Sequence, residues 1–255
     1  MTSRAVPGLR LAALLCATLG ALAAGTQALR AQALVADLSH HLIAITTGFT
    51  GTEVVLFGAV DGPGDVAVVV QGPPDDTVVR RKERVAGIWL NTRRLGFTQV
   101  PSFYRVATTR PLGMLVEDSV LQRHEIGLGY LNLVPGEPAP PETVREFREA
   151  LIRKKQEDGL YSTEHAQVAF LGERLFRTTI YFPANVPTGA YIVSVYLIRD
   201  GDVVSAQTTP LAVSKIGFSA DVYDFATRQS LLYATVAIVF AMAAGWLAGA
   251  VFRRV

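Results

Sequence analysis

The sequence predicts a mainly β protein of immunoglobulin-like β-sandwich architecture, with a helical middle segment and one C-terminal transmembrane helix. Three observations predict it. Short β-branched runs separated by Gly, Pro and Asp recur on both sides of the middle. Between them the apolar spacing becomes helical, and the chain closes on a long uncharged run. The predicted division is residues 1–33 signal peptide, 34–109 β-sandwich region, 110–160 helical segment, 161–228 second β-sandwich region, 229–252 transmembrane helix and 253–255 cytoplasmic tail. A single sandwich interrupted by the helices is the alternative to two.

At the N-terminus, Arg4 and Arg10 precede the apolar "LAALLCATLGALAAG", and "AQA" at Ala31 to Ala33 offers small residues for signal peptidase. This reads as a cleaved secretory signal; a retained N-terminal anchor is the alternative. The only cysteine, Cys16, falls inside this segment, so the mature chain forms no disulfide. Leu15 stands before Cys16 where a lipoprotein needs a small residue. A formal net charge of +2 gives no reason to expect nucleic acid as a partner.

Between the signal and the terminal helix roughly 195 residues remain, enough for one large or two small cores. "HLIAITTGF", "TEVVLFGAV" and "DVAVVVQG" read as strands, with "VDGPGD" and "QGPPDD" as turns. "TVVRRKERVAGIWLN" and "PSFYRVATT" extend the β pattern to about Thr109. In "PPETVREFREALIRKKQEDG", Pro140 and Pro141 can open a helix and Gly159 can close it. Val144, Phe147 and Leu151 form its apolar stripe, and Glu149 precedes Arg153 by one turn. A second helix is predicted over Leu115 to Glu125, with "VPGEPAPP" as the linker.

Strands resume in "AQVAFLG", "RLFRTTIYFP", "GAYIVSVYLI" and "DVVSAQTTPLAV", with a hairpin at Asp200-Gly201. Tyr191, Val193, Val195 and Leu197 share one face while Ile192, Tyr196 and Ile198 populate the other, which predicts a central strand covered on both sides. Ser230 to Phe252 carries no charge and reaches about 34 Å as a helix, enough to cross a bilayer core. Arg253 and Arg254 then read as its cytoplasmic flank. Ala237, Ala241, Gly245 and Gly249 recur every fourth residue, a line of small side chains that suits helix association in lipid.

The stretches "HLIAITTGFTGTEVVLFGAVDGPGDVAVVVQGP", "VAGIWLN", "VPSFY" and "VPTGAYIVSVYLIRDGDVV", followed by the terminal helix, resemble the alphaproteobacterial transmembrane protein family, which has no assigned activity or catalytic residues. The resemblance covers nearly the whole mature chain. It implies an exported β-rich protein with a C-terminal anchor, and a permease of the sulfite-exporter type as a partner.

Motifs for catalysis are sparse. "HEIGL" at His124 starts like a zinc-protease helix, but Leu128 occupies the place of the second histidine. His40 and His41 are adjacent on an extended run and point to opposite faces, so they cannot share an ion; combining one with His124 or His165 would need the fold. Asp37, Asp61, Asp65 and Glu117 are scattered, mostly beside turns. No catalytic residue, metal or cofactor is predicted. "VVRRKERVAGIWLNTRR" is more telling: as a strand it places Arg80, Lys82 and Arg84 on one face, a candidate contact for an anion or lipid headgroups, with a solvated edge as the plainer reading. Trp89 and Asn91 are read as packing and turn residues.

The expected protein is therefore a periplasmic binding or scaffolding protein anchored in the bacterial inner membrane. It would serve a transport or envelope assembly, meeting a permease or a second copy of itself through the terminal helix. A periplasmic anion-binding module is the runner-up, and an envelope enzyme comes third.

Overall fold

The computed structural model describes residues 33–85, 87–162, 166–217 and 225–252. The predicted signal segment up to residue 32, His165, Arg253 and Arg254 lie outside them. Thirteen strands, three α-helices and a further helical turn at residues 225–228 organise the described chain into three sheets and one apolar terminal helix.

The first sheet has the order β1-β3-β11-β10 and is antiparallel throughout. Its strands are β1 (Leu34–Leu38), β3 (Gly51–Val60), β10 (Ala169–Leu171) and β11 (Leu175–Pro183). Period-two alternation drives its burial: Phe176, Thr178, Ile180 and Phe182 point inward while Arg177, Thr179 and Tyr181 point out. Close approach needs a glycine at one position. A Cβ on Gly58 would sit 2.5 Å from both the Val35 carbonyl and the Phe176 ring.

The second sheet has the order β2-β13-β12-β4-β7-β9. It contains β2 (Leu42–Ile45), β4 (Asp65–Gln71), β7 (Tyr104–Thr108), β9 (Ala166–Gln167), β12 (Gly189–Arg199) and β13 (Asp202–Lys215). The β13–β2 and β7–β9 pairs are parallel and the others antiparallel. The Asp200-Gly201 turn joins β12 to β13 with φ of 52° and 80°, as a two-residue hairpin of the primed type requires.

The two sheets meet through their buried faces. Phe182 of β11 lies 5.9 Å, ring to ring, from Tyr191 of β12, and both pack on Phe103. At one edge Gln207 of β13 closes the sheets with two bonds to Ala36 of β1, accepting from its N–H at 2.8 Å and donating to its carbonyl at 2.7 Å.

Strand pairing corrects the predicted division. β3 pairs with β11 and β4 pairs with β12, so the 34–109 and 161–228 regions contribute to both sheets and neither is a separate sandwich. The physical reason is coverage: each region alone supplies too few adjacent strands to bury its apolar faces.

The middle segment covers the outer face of the second sheet. It holds a 3-10 turn at Leu112–Met114, α1 (Asp118–Arg123), a 3-10 turn at Leu128–Tyr130, and α2 (Pro141–Glu157). The helix predicted over Leu115 to Glu125 is thus shortened to α1. Tyr104 fastens the cover, its hydroxyl donating to the Glu125 carbonyl and accepting from the Gly127 N–H at 2.8 Å. Burial pushes the Tyr104 phenol far above its ordinary pKa, so the hydroxyl stays neutral. α2 begins at its prolines and buries Phe147 and Leu151, with Val144 half-buried beside them. Gly159, at φ 70°, ends it: the Gly159 N–H bonds the Gln156 carbonyl and the Leu160 N–H bonds the Lys155 carbonyl, a Schellman pairing.

β12 is central, as its composition predicts, but only part of its second face is covered. Ile198 is buried and Tyr196 half-buried, whereas Ile192 is 50% exposed.

A shared core predicts shared unfolding. Phe182→Ala removes a fully buried ring and should cost about 3–5 kcal/mol. Near-ultraviolet and far-ultraviolet circular dichroism should still report one coincident, lowered thermal transition. Two separate transitions would contradict the shared core.

Candidate functional site

Three features are not consumed by the core. The largest is a hairpin arm made by β5 (Pro74–Val85) and β6 (Ile88–Pro101), with the two-residue β8 (Val134–Pro135) at its base. The arm continues the β4–β7 pair. Gln71 faces Tyr104, Gly72 donates to the Phe103 carbonyl at 2.8 Å, Ser102 donates to the Pro73 carbonyl at 3.0 Å, and Pro74 faces Pro101. One ladder therefore runs out of the second sheet into solvent, turning at Gly87, whose φ is 86°.

At the root Leu95, Phe97 and Val100 are buried, but from Ile88 to Arg94 every β6 residue is exposed. Arg80, Lys82 and Arg84 do share one face, and the register sets Arg94, Asn91 and Trp89 opposite them. None of these cations forms an ion pair among the described residues. On the reverse face Arg81 bonds Glu83 at 2.9 Å and Glu146 of α2 at 2.7 Å. The tip corrects the reading of Trp89 as a packing residue: Ile88, Trp89 and Leu90 are 65%, 67% and 49% exposed. A strand pattern alone cannot show whether another layer covers it.

The second feature is α3 (Ser230–Phe252). It is the only helix among the described residues that is long and apolar enough to cross a membrane, and its spanning part is not buried against the rest of the protein. The four-residue spacing puts Ala237, Ala241, Gly245 and Gly249 in one line, and nothing lies within 4 Å of a Cβ built at Gly245 or Gly249.

The third feature has no signature in the sequence beyond one cation in an apolar run. Arg105 of β7 lies opposite Val70, and therefore points toward the first sheet. It lines a cleft of about 260 Å³ bounded by Val68, Val70, Ala107, Thr179, Ile180 and Tyr181. Its guanidinium carbon stands 5.4 Å from the Phe103 ring centre and 5.8 Å from that of Tyr181. One Nη2 bond reaches the Gly159 carbonyl at 3.3 Å, while the buried Nε has no acceptor. No carboxylate pairs with it among the described residues. Burial lowers its pKa, yet a guanidinium retains its proton at neutral pH.

The remaining candidates have local partners. Asp61 pairs with Arg199, and Asp65 with Arg110. Burial of Asp65 works against its ionisation, but the bonds from Arg110 and Thr109 outweigh that and hold its carboxyl below the ordinary pKa. His41 bonds Asp37 at 2.8 Å, His40 contacts Ser39 at 3.0 Å, and His124 lies 5.0 Å from the Tyr196 ring. Each of these histidines thus has its own local contact, and no group of three His, Cys, Asp or Glu side chains among the described residues could hold a metal ion.

A family model described as "Putative transmembrane protein (Alph_Pro_TM)" matches residues 33–254, and the chain belongs to that family. No curated protein matches it.

Proposed function

We propose that this family member is a binding or scaffolding subunit anchored in the bacterial inner membrane, its β-domain periplasmic and its C-terminus cytoplasmic, serving a transport or envelope assembly. The single observation that carries the reading is the open line of small residues on α3. In lipid, helices gain nothing from hydrophobic association, so close approach over Gly and Ala is a main source of attraction. The partner is a helix of an integral membrane protein, a sulfite-exporter type permease by the family resemblance, or a second copy of this chain. No reaction is assigned to the protein.

An immunoglobulin-like β-sandwich architecture for the β-domain belongs to the same proposal. The order β1-β3-β11-β10 matches A-B-E-D, and β13-β12-β4-β7 matches G-F-C extended by C′. Tyr191, near the start of the strand equivalent to F, donates its hydroxyl to the Pro187 carbonyl at 2.6 Å, which fits a tyrosine corner. On this alignment the arm is an elongated C–C′ hairpin, and the helical segment is inserted between C′ and D.

Arg105 favours a second reading, the periplasmic anion-binding module. Of the basic groups, Arg80, Lys82 and Arg84 lie on an exposed ribbon, whereas Arg105 lies in a cleft with a buried Nε that no described residue accepts from. A small oxyanion or carboxylate there would meet a partly desolvated, charge-assisted donor.

Topology, assembly and ligand can be tested separately. Alkaline phosphatase fused after Gly217 should be active, and fused after Val255 inactive; the opposite pattern reverses the proposed orientation. A cysteine placed at Ala241 should cross-link to the partner helix, and Gly245→Leu with Gly249→Leu should abolish the link while preserving insertion. A link that survives the double substitution makes α3 an anchor only. Calorimetry on the full chain in mild detergent should detect sulfate, sulfite or a small carboxylate at low salt, with at least about tenfold weaker binding in Arg105→Gln, the cost of a lost charged hydrogen bond. Equal binding by Arg105→Gln removes the anion reading.

A further inference from the structure

The arm and the strand that leads on to the anchor leave the β-domain at the same end. Ile192 of β12 is flanked by Gln71 of β4 on one side and Pro210 of β13 on the other. Both neighbours run antiparallel to β12, so β4 and β13 run in the same direction. Past Gln71 the chain enters the arm; past Pro210 it follows β13 to Lys215 and then leads to α3. The root of the arm also stays close to this exit. A Cβ on Gly189 would lie 2.7 Å from Pro73 Cγ, and Gly189 is the register partner of Val213.

The lengths are commensurate. β5 has 12 residues, so the arm reaches about 40 Å beyond the root at about 3.3 Å per residue. From Pro210, the rest of β13 adds about 17 Å in the same direction. The link from Lys215 to Ser230 spans at most about 50 Å when fully extended. The bilayer surface therefore stands no more than about 70 Å from the level at which the arm begins, and a link about 30 Å short of full extension brings it to the tip.

The composition of the arm is ordered along this direction. Its tip exposes Ile88, Trp89 and Leu90, the side-chain types that partition into the interfacial layer of a bilayer. Behind the tip, one face carries Arg84, Lys82, Arg80 and Arg94 with no ion pair among the described residues, and Trp89 belongs to that same face. A ribbon meant only to stay soluble needs the charges but gains nothing from an indole and two aliphatic chains at its end.

We propose that the β5–β6 arm is a membrane-contact element: Ile88, Trp89 and Leu90 enter the interface of the bilayer spanned by α3, while Arg80, Lys82, Arg84 and Arg94 bind anionic lipid headgroups. The contact holds the β-domain at a set height and tilt over the membrane. It rests on α3 spanning a bilayer, as in the function proposed above, and on neither the partner helix nor the Arg105 cleft.

The chain has two tryptophans, so Trp246→Phe leaves Trp89 as its only indole. This full-length variant is placed in nanodiscs of zwitterionic phospholipid with or without an anionic phospholipid. With the anionic lipid, Trp89 emission should shift to the blue and be quenched by lipids brominated high on the acyl chain. Both effects should vanish in Arg80→Gln/Lys82→Gln/Arg84→Gln/Arg94→Gln. They should also weaken at 1 M salt, where the screening length falls to about 3 Å. Since all four side chains are exposed, the quadruple variant should keep the parent's melting temperature, which separates lost contact from lost fold. Emission that remains that of a water-exposed indole in anionic nanodiscs overturns the proposal. Emission that shifts only when a solubilised membrane-protein fraction is added assigns the tip to a protein partner and overturns it equally. Neither result bears on the cross-link along α3, which reports the partner-helix reading independently.

Discussion

Pairing between distant parts of the chain is the constraint on which the rest of this structure depends. β3 must meet β11, and β4 must meet β12, before either sheet has enough strands to bury a face. Once they meet, Val54, Leu56, Phe176, Ile180 and Phe182 oppose Val66, Val68, Val70, Val193 and Val195 across one interior. Because these contacts are widely separated in sequence, their loop-closure cost falls early and their reward comes late. The intervening segment is therefore accommodated as a cover over the second sheet, where it shields Val69 and Val106 from water.

A single antiparallel ladder then does two physically different things. From Ala67 to Gln71, paired with Tyr104 to Thr108, it is a central part of a covered sheet and is mostly apolar on both faces, with Arg105 as its one cation. Beyond Pro74 and Pro101 it loses that cover, and its side chains become Arg, Lys and Glu around an apolar tip. The transition coincides with the end of β12, because Gly189 is the last residue of that strand available to flank the ladder. Two register shifts, between Asp75 and Thr77 and between Arg81 and Lys82, give the arm local twist without breaking it.

The features left over from folding lie on different parts of the protein and use different chemistry. α3 offers shape in an apolar solvent, the arm offers charge and an amphipathic tip, and the Arg105 cleft offers donors in a partly desolvated recess. Among the described residues the acidic side chains Asp61 and Asp65 are spent on Arg199 and Arg110, which staple loops to strands.

By itself the sequence determined whatever depends on local periodicity and on solvent. An uncharged run is read as a spanning helix because no soluble surface tolerates it, α2 is bounded by its prolines and Gly159, and the Asp200-Gly201 hairpin follows from backbone sterics. The shared face of Arg80, Lys82 and Arg84 was legible for the same reason, since alternation is a property of one strand. Tertiary structure alone decided what lies across from each strand. It merged two predicted β regions into one interior, left Trp89 bare where a packing role was expected, and turned Arg105, unremarked within "PSFYRVATT", toward a cleft between sheets. Burial and charge compensation are set by neighbours many residues away, and period-two spacing carries no record of which neighbours those are.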